Sequence, residues 1–401
     1  MLKTELFASN LFIIIRKNLD LAQATMSGYR NLHRQQVHED GAPVWQAQPS
    51  VSKSGQDCWN VWTASGDGLA RVYRVQEKAA SDDLDASALS LSCSHILLGK
   101  NQVSSKKTIL GCTQLSLTRN YVGDDDMAGD WIAASLDLSG RVRVWIVSPD
   151  NLSTTTSTAP ESPTQIRCNH EFVTGQTTGT LMAICPPRIA GDGNVCVALA
   201  QLDGTIAMVS TGIATPKAKN SPSEPGTVLE TWGNGTLAMS MAWHPSEHTL
   251  VVGRRNGTVD VLKKKKNNPS RKVGSHRLQQ HSGPVRAVTF TPDGQLLVTG
   301  SDDGYLAVWD TQRRTPTLVH HVVQAHTGWI LGVTALSDSR RFVTTGTDQK
   351  LHVWHLSQMH APVHSFHGEH SVWTLSSQPH STRMVGGTDD GWLQVYSLED
   401  K

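Results

Sequence analysis

Apolar and polar residues alternate in short runs along most of this chain, and turn dipeptides separate the runs. From His281 to Asp310 the sequence reads HSGPVRAVTFTPDGQLLVTGSDDGYLAVWD. PVRAVTF, QLLVTGS and YLAVWD are each of strand length, with Pro-Asp-Gly and Asp-Asp-Gly between them. Asp-Gly between such runs marks a tight antiparallel connection, because glycine reaches the positive φ that the turn needs. The stretch therefore predicts three antiparallel strands in a meander. A His opens it and Trp-Asp closes it. His281, Thr299, Asp303 and Trp309 are spaced so that a chain of buried hydrogen bonds ties the loop before the first strand to the turn after the second.

That combination of His, Asp-Gly and Trp-Asp is the pattern of a WD40 repeat, one four-stranded blade of a β-propeller. Counting back from each strand that ends as Val308-Trp309 does, the turn glycine recurs at Gly68, Gly140, Gly204, Gly257, Gly304 and Gly391, and in the sixth copy its place is taken by Gln349. The copies close up along the chain towards the ~40–45 residues of a four-stranded blade, so the early blades carry inserted loops. The fold class predicted is all-β, a seven-bladed WD40 β-propeller. Blade six repeats the linking set as His326, Thr344, Asp348 and Trp354. Blade seven places His370 a residue short of that position and ends its third strand on Tyr396, which predicts a weaker link. It also runs out of chain before an outer strand. Unpaired edges expose backbone donors and acceptors, and Tyr29 to Val37 is available, so the ring is expected to close on an N-terminal strand at 29–37.

The propeller is expected over 26–401. Residues 1–25 hold an apolar core of only Leu11 to Ile15, too short for the ~20 residues of a membrane span. They read as a disordered or loosely helical extension, a targeting peptide, or a stretch upstream of a start at Met26. Solvated loops are expected at 76–88, 123–130, 148–163 and 211–226, and QIRCNHEFV after the third of these as the outer strand of blade two. The Asp124-Asp125-Asp126 run reads as a divalent-cation site or as plain solvated loop. The basic run at 263–272, KKKKNNPSRK, reads as a nuclear-import signal, an RNA contact or a solvated connection between strands.

Composition narrows the function. Lys and Arg number 36 against 35 Asp and Glu, a net charge of +1, which gives no sign of a surface built for nucleic acid. The six cysteines form no CxxC pair, and most lie in strand-like runs, as buried free thiols of a reducing compartment do. The histidines between His320 and His367 have no Cys or carboxylate at ligand spacing. Phosphate loops and nucleophile elbows are missing. The chain reads as a non-enzyme with no catalytic residue, cofactor or metal, working through its surfaces.

The blades from HSGPVRAVTFTPDGQLLVTGSDDGYLAVWD through HTGWILGVTALSDSRRFVTTGTDQKLHVW to DDGWLQVYSL, with the start YRNLHRQQVHEDGAPVW, resemble the WD40 subunit of the superkiller complex. Animal and plant members of that family also belong to the Paf transcription-elongation complex. The likeness is strong over 281–398, fair over 29–75 and thin between 100 and 262. In this fold, residues flanking the first valine-like position of each inner strand face the narrow channel end. Here they are Trp45, Pro284, Arg286, Trp329, Leu331, Ser371 and Trp373. Trp and Arg dominate many binding interfaces, so these residues form a candidate peptide clamp, the alternative being that some tuck beneath their own blades. The resemblance implies that this face grips a Gln-Arg-containing segment of a tetratricopeptide scaffold, in a complex whose helicase feeds RNA to the cytoplasmic exosome. It implies a cytoplasmic protein with a nuclear share, no membrane contact and no direct sequence-specific nucleic acid. The other reading is a substrate receptor of a cullin-type ubiquitin ligase. Such receptors carry Trp-Asp-x-Arg, whereas Trp309-Asp310 is followed by Thr311-Gln312, with Arg313 one position late.

Overall fold

The computed structural model describes residues 29–37, 42–51, 58–77, 89–99, 112–119, 129–137, 139–152, 163–173, 179–186, 194–215, 218, 221–232, 236–263, 274–313, 315–378 and 381–398. The strands form seven antiparallel blades whose innermost members neighbour one another in a closed ring. Blade one is β2 (Val44–Val51), β3 (Cys58–Ser65), β4 (Ala70–Glu77) and β5 (Leu89–Leu98). Blade two is β6 (Cys112–Arg119), β7 (Trp131–Asp137), β8 (Arg141–Val147) and β10 (His170–Val173). Blade three is β11 (Gly179–Ile184), β12 (Asn194–Gln201), β13 (Ile206–Ala214) and β14 (Val228–Trp232). Blade four is β15 (Ala238–Trp243), β16 (Thr249–Arg254), β17 (Thr258–Lys263) and β18 (Gly274–Gln279). Blade five is β19 (Ala287–Phe290), β20 (Leu296–Gly300), β21 (Leu306–Asp310) and β22 (Thr317–Val322). Blade six is β23 (Ile330–Ala335), β24 (Arg341–Gly346), β25 (Lys350–His355) and β26 (His364–His367). Blade seven is β27 (Val372–Ser377), β28 (Arg383–Thr388) and β29 (Trp392–Leu398), and β1 (Tyr29–Gln36) is its outer strand, antiparallel to β29. The molecule is an all-β, seven-bladed propeller closed by its N-terminal strand.

The middle strands are apolar on both faces because each face meets a different neighbouring blade. Along β16, Leu250 and Val252 pack with blade three, while Val251 between them packs with blade five. Strand side chains alternate across a sheet, so a strand buried on both sides reads as a continuous apolar run. The core is accordingly a set of apolar layers between blades. The layer between blades seven and one holds Val385, Leu393 and Val395 against Val44, Trp59 and Tyr73. The Tyr73 hydroxyl also donates to the Val37 carbonyl as the chain leaves β1, fastening blade one to the closing strand. Around the inside, neighbouring blades are laced by side chains that bond to the next inner strand's backbone. Gln46 Oε1 accepts from Leu115 N–H at 3.1 Å, Ser116 Oγ from Ile184 N–H at 3.0 Å, and Ser240 Oγ donates to the Val285 carbonyl at 2.8 Å.

All seven turn positions expected from the spacing take positive φ. The six glycines range from 75° to 87° and Gln349 has 62°. Other expectations are corrected. QIRCNHEFV is two strands. β9 (Thr164–Arg167) adds to β5 as a parallel fifth strand of blade one, and only β10 belongs to blade two. The break falls at Cys168-Asn169, where the Cys168 N–H donates to Leu98 of blade one and the Asn169 N–H to Val144 of blade two. Cys168 and Cys185 therefore lie just outside strands. The loop expected at 148–163 opens with a helical turn, α1 (Pro149–Leu152), anchored by buried Leu152. The loop expected at 211–226 begins as strand, because β13 runs to Ala214. Blade four's outer strand, β18, follows the basic run. Residues 1–25, Asp124 to Asp126, most of the loop at 76–88 and the basic run beyond Lys263 lie outside the described residues.

Candidate functional site

Register locates the site. In six of the seven innermost strands the pairing skips one residue near the end beside the turn glycine: Trp45, Thr113, Thr180, Met239, Leu331 and Trp373. A residue extruded by a bulge leaves the ladder and its side chain is re-aimed. Blade five begins its ladder two residues later, at Ala287, and Arg286 stands at the equivalent place. The Asp302 N–H donates to the Pro284 carbonyl there, as the Gly66 N–H does to Pro43 in blade one and the Thr347 N–H to Trp329 in blade six. Of these positions Trp45, Met239, Arg286, Leu331 and Trp373 line one channel of about 320 Å³, to which all seven inner strands contribute.

Trp45 and Trp373 meet across the seam of the propeller, edge to face with centroids 5.5 Å apart. Arg286 lies 4.9 Å from the centre of the Trp329 ring, and its Nε donates to Asp302 Oδ1 at 2.5 Å. The guanidinium is therefore fixed between a carboxylate and an indole, at low entropy cost for a binding partner. Trp329 is 48 % exposed. Leu331 is buried and lines the channel wall, while Pro284, Trp329 and Ser371 occupy the shoulder position of their blades and do not line the channel, Trp329 adjoining it through Arg286. Opposite the tryptophans the wall carries Met182, Met239 and Met241, adaptable thioethers that sequence spacing did not single out. Asp302 was also missed as the brace of Arg286, although the doubled Asp of Asp302-Asp303-Gly304 carries the signal.

The linking residues lie behind this rim. In blade six the Trp354 indole N–H donates to Thr344 Oγ1 at 2.9 Å. Thr344 Oγ1 is 2.7 Å from His326 Nε2, and His326 Nδ1 is 2.9 Å from Asp348 Oδ1. Since an ionised carboxylate only accepts, His326 Nδ1 carries the proton shared with Asp348. Blade five repeats the chain through His281, Thr299 and Trp309, at 2.8 and 3.2 Å. Its last contact is looser, with His281 Nδ1 at 3.4 Å from Asp303 Oδ2. Burial works to raise both carboxyl pKa values, but the adjacent imidazoles and backbone N–H groups outweigh it, holding Asp303 at about 2 and Asp348 well below the usual range.

Candidate ligand groups are absorbed by this framework. His326, Asp348 and His352 bring ligand atoms together, but both His326 nitrogens are engaged and His352 Nδ1 bonds Ser365 Oγ at 2.7 Å. In blade seven His370 does not reach Thr388. It stands 3.1 Å from Asp390 and 3.8 Å from Asp389 at the surface. Burial pushes the Cys168 thiol up to about 11 and the Cys93 thiol up as well, which suits packing rather than nucleophilic attack. Among the described residues, no helix is long and apolar enough to cross a membrane.

Comparison with known proteins agrees with this geometry. The profile of the WD domain, G-beta repeat, matches residues 273–310 and 317–355. Each match takes the outer strand of one blade and the three inner strands of the next, from β18 through β21 and from β22 through β25. The chain is 38 % identical over 72 residues to the serine-threonine kinase receptor-associated protein of Gallus gallus, covering 18 % of this chain and 19 % of that protein. It is 30 % identical over 88 residues to the tRNA (guanine-N(7)-)-methyltransferase non-catalytic subunit wdr4 of Dictyostelium discoideum, 22 % of this chain and 18 % of that protein. A match of 52 % over 33 residues reaches the human WD repeat-containing protein 38, 8 % of this chain and 10 % of that protein. The aligned stretches thus span about a fifth or less of these relatives' own lengths. Strand order, linking residues and profile converge: the chain carries WD40 repeats on a seven-bladed propeller.

Proposed function

We propose that the chain is a non-catalytic interaction scaffold whose bulge ring grips a partner peptide, acting as the WD-repeat subunit of a superkiller complex that assists exosome-mediated 3′–5′ mRNA decay. The carrying observation is the preorganised rim, in which Trp45 already meets Trp373 and Arg286 already meets Trp329 at one mouth of the channel. Aromatic and arginine side chains held in place before binding are what interface hot spots use. The resemblance of the last three blades supports this identity, with a tetratricopeptide scaffold and a helicase as partners. The same resemblance supports a cytoplasmic location with a nuclear share and Paf-complex subunits as further partners.

Affinity purification of the full chain from its own cells, followed by mass spectrometry, tests the reading. Recovery of a tetratricopeptide protein and a helicase is expected. Recovery of a cullin-ligase adaptor in their place would overturn it and favour the receptor reading.

A further inference from the structure

The blades end in outer strands that differ sharply in charge. β1 carries Arg30 and Arg34, β10 Glu171, β14 Glu230 and β18 Arg277, while β5 is already covered by β9, which carries Arg167. β26 has no such charge but is only four residues long. β22, the six residues TLVHHV, contains no Asp, Glu, Lys, Arg or Pro, and it is the terminal strand of its sheet. Leu318 and Val319 are 41 % and 48 % exposed, and Val323 just beyond is 57 % exposed. Leu318 pairs with Trp309 while the ladder skips Val319, a bulge that turns this apolar side chain out beside exposed Leu318. Charges and prolines on edges are common protections against further pairing, and both are missing on this long edge, which has the bulge at Val319 as its one interruption.

We propose that β22 is a self-association edge, pairing antiparallel with β22 of a second copy of this chain to join two blades into one continuous sheet. Two observations favour a second copy. A two-fold axis normal to a sheet passes through a pair of identical residues, so each side chain of β22 meets another from the same strand. On the other long edges this would set Arg or Glu near its own kind, whereas β22 brings no fixed like charge to such a pairing. In addition, β9 on β5 shows that a blade of this propeller takes an extra strand at its outer edge without losing its ladder. An edge of six residues runs ~20 Å, which makes a small, concentration-dependent interface.

Sedimentation velocity on the purified full chain, from low micromolar to several hundred micromolar, tests the proposal. The mass is expected to rise towards twice the monomer at the upper end, and β22 amides should exchange hydrogen more slowly there than in dilute solution. Val319→Lys and Leu318→Lys should each stay monomeric throughout while melting like the parent, and Leu229→Lys, on the equally exposed outer strand β14, should associate as the parent does. A parent that stays monomeric throughout would overturn the proposal, as would folded β22 variants that still dimerise or a Leu229→Lys variant that fails to. If both β22 variants unfold, hydrogen exchange in the parent decides, and equal exchange of β22 amides at both concentrations counts against it.

Discussion

Blades six and four perform the same task with different chemistry. In blade six the inner turns are held by the hydrogen-bonded chain Trp354–Thr344–His326, with one carboxylate, Asp348, at its end. Blade four has Val252 and Leu262 where blade five carries Thr299 and Trp309, counting from the turn glycines. Its polar link is an ion pair, Arg254 Nε to Asp260 Oδ2 at 2.9 Å, three residues before and three after Gly257. Arg254 is fully buried and also donates to the Thr236 carbonyl at 3.0 Å and the Gly204 carbonyl at 2.7 Å. In blade five the counterpart of the first of these bonds is a hydroxyl, Ser301 Oγ to the Gly283 carbonyl at 2.9 Å. Blade two carries the pair with its signs exchanged, Asp137 and Arg143 at 3.0 Å, at the same offsets from Gly140. The fold therefore requires a satisfied polar link between a blade's entry loop and its middle turn, and several residue sets supply it.

The ion-pair blades should be the more fragile to truncation. Asp260 also holds Arg277, Nε to Oδ1 at 2.8 Å, so it is the loss of Asp260 that strands a charge, the fully buried Arg254, at a cost of ~3–5 kcal/mol. Asp260→Ala is expected to lower stability by about that amount in chemical denaturation, and adding Arg254→Ala should recover part of it. Additive losses would show that the two residues are not coupled.

The blades linked through His and Asp should be the ones sensitive to acid. Burial, reinforced by the neighbouring His326, lowers the His352 pKa to about 4. Its folded value lies below the ~6.5 of a free histidine, so the unfolded chain takes the proton first. Stability is then full above about pH 6.5 and is lost as the pH falls from there towards 4. Asp303 and Asp348, depressed instead, contribute above the ~3.9 of a free carboxyl, and that contribution is lost as pH falls through ~4 towards 2. Melting temperature against pH should fall in two stages, and His352→Gln should flatten the first stage alone. An unchanged first stage in that variant would assign it to another group.

The smallest effect concerns the odd turn. Gln349 occupies the left-handed region that the other six copies give to glycine. Gln349→Gly should raise stability by up to ~1 kcal/mol, the relief of backbone strain partly offset by a freer unfolded chain. A melting temperature below the parent's would contradict this.

These differences explain what the sequence disclosed. The turn glycines and the sets His281–Trp309 and His326–Trp354 were legible because φ and hydrogen-bond geometry restrict which residues serve there. Closure by β1 was legible because a missing strand leaves a countable edge. Arg254 and Asp260 were not, since an Arg and an Asp six residues apart across a turn look like solvated surface until two neighbouring blades bury them. The division of QIRCNHEFV was hidden because the exchange of sheets at Cys168-Asn169 depends on which blade offers a free carbonyl. At the rim, Trp45, Arg286, Leu331 and Trp373 could be picked from their place after a valine-like residue. Opposition of the methionines Met239 and Met241 to them follows only from the ring.

The rim repeats the contrast between the two halves, with aromatic and arginine residues from blades five, six, seven and one, and methionines from blades three and four. The most direct test is the affinity of the purified chain for the tetratricopeptide scaffold proposed as its partner, measured for the parent and for Trp329→Ala and Trp373→Ala alongside a melting curve of each. Loss of an interface tryptophan costs ~2–4 kcal/mol, roughly 30- to 1,000-fold in Kd, and that loss is expected with the Trp329→Ala melting temperature unchanged. Parental affinity in both folded variants would contradict the account and move the partner site to the opposite face or the outer strands.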